Sequence, residues 1–143
     1  MSKGDTFEND LLALIFNGTP IPGLADNAAS APITQLFVSF HTADPGEAGT
    51  ALTNEAAYTG YARVPVPRSA AGWVVTANSV SPVNNIDAPA CTGSPGPDLT
   101  FWAVSIAASG AAKILYSGTM NLPITMAVGT VPRLTPASTV TED

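Results

Sequence analysis

Proline and glycine constrain this chain more than any other feature. The 143 residues include 13 Pro and 12 Gly. Proline has no backbone donor and glycine weakens helix interiors, so dense punctuation of this kind leaves room only for short elements. A few stretches of about a dozen residues escape it, and one of them has helical character. Residues 6–17 carry no Gly or Pro, and Phe7, Leu11, Leu14 and Ile15 recur at helical spacing. Leu12 and Phe16 widen that face, Thr6 is placed to cap the N-terminus, and Glu8 and Asp10 put negative charge near it. Gly18 is placed to end the helix. A helix of about three turns is unstable alone and must lie on something.

Residues 18–33 read as a loop or arm, punctuated by Pro20, Pro22, Gly23 and Pro32. From Thr34 the period changes to two. Leu36, Val38 and Phe40 alternate with Gln35, Ser39 and His41. Asp44-Pro45-Gly46 is a turn. Tyr61 to Val66 is extended, and Pro65 and Pro67 place it at a sheet edge. Trp73-Val74-Val75 and the segment from Asn78 to Val83 read as a hairpin, and Ile86 to Ala90 as a short strand. Leu99 to Ala107 is a buried strand, with a hairpin partner from Lys113 to Thr119. One or two strands follow between Leu122 and Leu134, and a last one from Ser138 to Thr141. One helix followed by roughly eight short strands predicts an all-β protein, a jelly-roll or Greek-key β-sandwich. The expected organisation is a helix and arm over residues 1–33 and a β-sandwich over residues 34–143.

Composition then narrows the function. Charged residues make up 11% of the chain and the net charge is −6, against about 25% charged in a typical domain. A net acidic chain with five basic residues is a poor partner for a phosphate backbone. A single Cys makes no intramolecular disulfide and no Cys-rich zinc site. No apolar run approaches the roughly 18 residues of a membrane span. Glu8, Asn9 and Asp10 interrupt any signal-peptide pattern. A surface of small neutral residues suits a protein that packs against others, since few ions need desolvation on docking.

The residues that carry chemistry are scattered. His41 is the one histidine, and no Gly-x-Ser-x-Gly elbow accompanies it. Cys91 reads as a small buried hydrophobe. Asp44 and Glu47 flank a turn and fall short of the six to eight oxygens of a calcium site. Asp26, Glu55, Asp87 and Asp98 are isolated from one another. The segment from Ser109 to Lys113 lacks the Gly-Lys-Ser/Thr of a phosphate loop. Arg63 and Arg68 near Tyr58 and Tyr61 suggest a small basic, aromatic spot of the kind that anchors protein interfaces. These readings predict no enzyme, no metal and no cofactor. The candidate interface residues are Phe7, Leu11, Leu14, Ile15 and Phe16 on the helix, and Tyr58, Tyr61, Arg63, Arg68 and Arg133 on the body.

Three stretches carry a resemblance: Leu36 to Thr50 around His41-Thr42-Ala43-Asp44-Pro45-Gly46, Asn54 to Val64 around Tyr58-Thr59-Gly60-Tyr61, and Phe101 to Gly118. The ending Thr139 to Asp143 adds to it. Together they resemble small virion proteins of tailed bacteriophages, in particular the capsid cementing, or decoration, protein of a Bordetella bacteriophage, whose relatives are often labelled tail-fibre proteins. The resemblance implies a homodimeric jelly-roll on the outside of a virion capsid, made in the bacterial cytoplasm. Its implied partners are a second copy and the major capsid protein of an HK97-like shell, with no direct contact to nucleic acid or membrane. A tail-fibre or tail-tip component is the alternative. A carbohydrate-binding or hydrolytic jelly-roll is a third reading, and requires an aromatic groove with facing carboxylates.

Overall fold

The computed structural model describes residues 5–21, 25 and 32–142. It is mostly β, with nine strands in antiparallel sheets and one short N-terminal helix among the described residues. That is the predicted fold class. The strands divide into sheets of four, three and two. The chain forms two compact units, each assembled from separated segments.

The first unit comprises Met1–Gln35, Val66–Asn85 and Leu134–Asp143. Helix α1 spans Asp5–Asn17. It starts one residue before Thr6, so Thr6 lies inside the first turn and does not cap it. Gly18 adopts φ 67° and ends the helix as predicted, since a side chain would resist that conformation. Strands β3 (Trp73–Thr76) and β4 (Ser79–Pro82) form the predicted hairpin, with Trp73 opposite Pro82 and Val75 opposite Val80. Strand β9 (Val140–Thr141) joins β4, with Val140 opposite Val80. The helix packs on this sheet through Leu12 and Phe16, both fully buried. Phe16 meets Trp73 edge to face, with ring centroids 4.8 Å apart.

The buried helical face differs from the predicted one. Glu8, Leu12 and Phe16 point inward, while Leu11, Leu14 and Ile15 are half-buried and Phe7 is 39% exposed. Most of the predicted arm lies outside the described residues. Within it, Ile21 and Ala25 exchange two backbone hydrogen bonds of 2.8 Å.

The second unit comprises Leu36–Pro65 and Ile86–Arg133. Its main sheet runs β2-β1-β6-β7. Strand β1 (Gln35–His41) pairs antiparallel with β6 (Leu99–Ser105), from Phe37 opposite Ser105 to His41 opposite Phe101. Leu36, Val38, Phe40, Ala103 and Val104 are fully buried and form its core. Strand β2 (Val64–Pro67) is at one edge, where its prolines deprive no central ladder of a donor. Strand β7 (Ile114–Ile124) is the other edge. It runs further than the predicted Lys113 to Thr119. A short two-stranded sheet joins β5 (Ile86–Asp87) and β8 (Arg133–Leu134).

Candidate functional site

The densest polar chemistry lies in the second unit, at the end of β1. Ser39 and His41 are two residues apart on the strand and both fully buried. Ser39 Oγ lies 2.8 Å from His41 Nε2. His41 Nδ1 lies 2.9 Å from the Thr53 carbonyl oxygen. That oxygen only accepts, so the ring proton resides on Nδ1 and donates to Thr53. Nε2 therefore accepts the Ser39 hydroxyl proton. Burial holds the imidazole pKa below its ordinary value of 6.5, the Thr53 hydrogen bond opposing it. The ring is neutral.

Beside it stands a buried ion pair. Arg63 donates from Nε to Glu55 Oε1 at 2.7 Å and from Nη2 to Glu55 Oε2 at 2.8 Å. The guanidinium also donates to the Ala107 carbonyl at 3.0 Å and the Gly110 carbonyl at 2.8 Å. The Arg63 side chain is only 2% exposed. Its hydrogen bonds to Glu55 raise its pKa further. Tyr61 donates its hydroxyl proton to Glu55 Oε1 at 2.9 Å and accepts the Phe40 amide at 3.2 Å. Burial, with the Glu55 charge, pushes the Tyr61 pKa well up.

A serine hydrogen-bonded to a histidine is the first step of hydrolase chemistry. Here the residue behind the histidine is a backbone carbonyl, and both side chains are sealed from solvent. A nucleophile must reach its carbonyl carbon, and this one meets only the packed sheet. The cluster instead ties loops to strands. Thr53 and Glu55 hold the 42–55 loop on β1, reinforced by Ala56 N to Phe40 O at 2.8 Å. Arg63 pins the 107–110 turn. Asp44 accepts the Gly46 amide at 2.8 Å and caps the turn in that loop, as the sequence predicted.

The candidate interface residues separate. Phe16 anchors α1 in its own unit, so its side chain offers no docking surface. Tyr58 is buried and donates to the Pro89 carbonyl at 2.6 Å; burial pushes its pKa up to about 12. It meets Tyr61 edge to face at 5.3 Å. Arg63 belongs to the second unit and Arg68 to the first, and both guanidiniums are engaged within their own unit. Arg68 donates to the Leu14 and Ile15 carbonyls, capping the helix C-terminus, and to Ile33 O. Arg133 pairs bidentately with Asp87, at 2.6 and 2.8 Å, on the surface. Phe7, Leu11, Leu14 and Ile15 keep outward area.

Sequence reasoning passed over Ser39, Thr53 and Glu55. The alternation that put Ser39 and His41 on one side of β1 was available as a signal. The loop residues that return to meet them were not.

The family model described as Podophage GP4 fiber I protein gp80 matches residues 2–141. No curated protein matches the chain.

Proposed function

We propose, for a chain that belongs to the podophage GP4 fiber I protein gp80 family and is thus a bacteriophage virion structural protein, the role of a capsid cementing protein. It binds the outside of the major capsid protein shell of an HK97-like head and bridges neighbouring capsomers. The observation that carries this reading is that each unit closes a core within its own chain. Leu12, Phe16 and Trp73 pack in one, and Leu36, Val38, Phe40 and Val104 in the other. A subunit built this way folds first and docks afterwards on a preformed lattice. Its low charge lowers the desolvation cost of docking, and many copies turn weak contacts into a strong lattice. The outer flank of α1, with Phe7, Leu11, Leu14 and Ile15, and the surface residue Arg133 are the proposed contacts. Two copies act together as a dimer.

The word fiber in the family's description favours a second reading, a tail-fibre or tail-tip component. Binding separates the two. Purified protein is mixed with isolated heads and with isolated tails of its virus, and co-sedimentation is measured. Saturable binding to heads, at a fixed number per capsomer, supports cementing. Binding to tails alone overturns it.

A further inference from the structure

The one histidine of the chain is buried where a surface loop begins and ends. Residues 42–55 leave β1 directly after His41 and return to it. At the base of the loop Glu55 pairs with His41 as an isolated bridge, Thr42 N donates to Asn54 O at 2.8 Å, and Ala56 N donates to Phe40 O at 2.8 Å. Beyond that base the loop meets water. Ala43, Asp44, Gly46, Glu47 and Ala48 are exposed, and Leu52 is 55% exposed. Pro45 and Ala51 are its buried residues, and Ala51 N donates to Ala112 O at 2.9 Å. His41 itself belongs to a strand laddered to β6 from Phe37 to His41. The loop, with few buried apolar groups, is the part of this region that moves at least cost.

The neutral ring is satisfied on both nitrogens, and the charged ring is not. Neutral His41 donates from Nδ1 to Thr53 O and accepts the Ser39 hydroxyl at Nε2. A second proton goes to Nε2 and turns it into a donor. Ser39 Oγ must then accept, and its own hydroxyl proton needs another acceptor. The Ala103 carbonyl is 3.5 Å away, beyond the roughly 2.5–3.0 Å of a good hydroxyl bond. The charged groups that bear on the ring are Glu55, from the returning end of the loop, and Arg63. Glu55 Oε1 is engaged by Arg63 Nε and the Tyr61 hydroxyl, and Oε2 by Arg63 Nη2. Arg63 repels an imidazolium. Strand β6 brings Phe101 opposite His41 and Ala103 opposite Ser39, and β7 brings Thr119 opposite Phe101, none of which carries charge. Asp44 and Glu47 lie in the exposed part of the loop. An imidazolium in the closed structure is therefore sealed from solvent beside a carboxylate already engaged by Arg63. Burial keeps the closed ring neutral.

We propose that residues 42–55 form an acid-released flap: a proton taken up by His41 lifts the loop from β1, hydrates the imidazolium and leaves the β1–β6 ladder in place. The proton comes from solvent and returns to it as the pH rises, so the movement is reversible. Opening bares Ser39 and His41. Nothing in this device depends on whether the protein sits on the head or the tail.

The test reads the flap directly. Amide hydrogen exchange of the full chain is followed by mass spectrometry from pH 8 to pH 4, and the protection of each segment is corrected for the intrinsic exchange rate at each pH. A ring with the ordinary pKa of about 6.5 in the open state makes opening up to tenfold more favourable per pH unit below that value. The expected result is protection over residues 42–56 that is level above about pH 7 and falls at least tenfold by pH 5, while β1 and β6 keep theirs. His41→Gln keeps a donor for the Thr53 carbonyl but takes no proton; its loop protection should not fall between pH 7 and pH 5, and circular dichroism shows whether it is folded. Should that variant not fold, the wild-type onset decides. A fall that starts near pH 6.5 identifies the imidazole, and a fall confined to the carboxylate range, below about pH 5, overturns the inference. Level protection down to pH 5 overturns it, as does an equal loss in β1 and β6 or the same fall in folded His41→Gln.

Discussion

Replacing Glu55 by Gln tests the role assigned to the buried cluster. The side chain keeps its volume but loses its charge and one acceptor oxygen. Arg63, 2% exposed at its side chain, keeps the Ala107 and Gly110 carbonyls and loses its counter-ion. An amide nitrogen then faces the guanidinium or the Tyr61 hydroxyl. Breaking a buried pair from one side costs about 3–5 kcal/mol. The two surviving carbonyl bonds place the expected loss near the lower end, about 3 kcal/mol. At about 2.1 cal/mol/K per residue of unfolding entropy, the chain unfolds with roughly 0.3 kcal/mol/K, so the midpoint falls by about 10 °C. Thermal melting at pH 7 by circular dichroism measures it. A second variant, Glu55→Leu with Arg63→Met, removes both charges and should recover part of the loss. A drop of under about 3 °C in Glu55→Gln would refute the claim that the pair holds the loops.

Three further outcomes follow from the packing and the ionisation. Burial holds the folded His41 pKa below 6.5, so the unfolded chain binds the extra proton: stability is full above about pH 6.5 and falls as the pH drops below it. Urea midpoints should therefore decline between pH 7 and pH 5 in wild type and decline less in His41→Gln; equal slopes would show that His41 does not titrate in this way. Phe16→Ala should cost about 3–5 kcal/mol, because it opens a cavity against Trp73, and urea denaturation reads it. Deleting residues 5–17 exposes Trp73 and should disrupt the sheet of the first unit, seen as a red shift in Trp fluorescence; an unshifted spectrum would mean that the helix is a detachable arm.

Much of the β architecture was legible because period two is a strong signal. Leu36, Val38 and Phe40 marked the core of β1, and Gly72 with Trp73 marked the start of a hairpin. Pro65 and Pro67 indicated an edge by the absence of a donor. The helix was found but its inward face was displaced. Phe7, Leu11, Leu14 and Ile15 fit helical spacing as well as Leu12 and Phe16 do, and only Trp73, distant in sequence, decides which set is buried. The arginines were misread for the same reason. Arg63 and Arg68 look exposed in a linear sequence, yet their partners are Glu55 and backbone carbonyls brought near by folding. The extension of β7 past Thr119 carries Pro123 beyond a register shift, on the outermost strand of its sheet, where a missing donor costs no central ladder bond.

Cryo-electron microscopy of the parent virion tests the central claim most directly. The account predicts density for this fold in pairs on the outer face of the capsid shell, between capsomers. Density for the chain in the tail, with none on the shell, contradicts it.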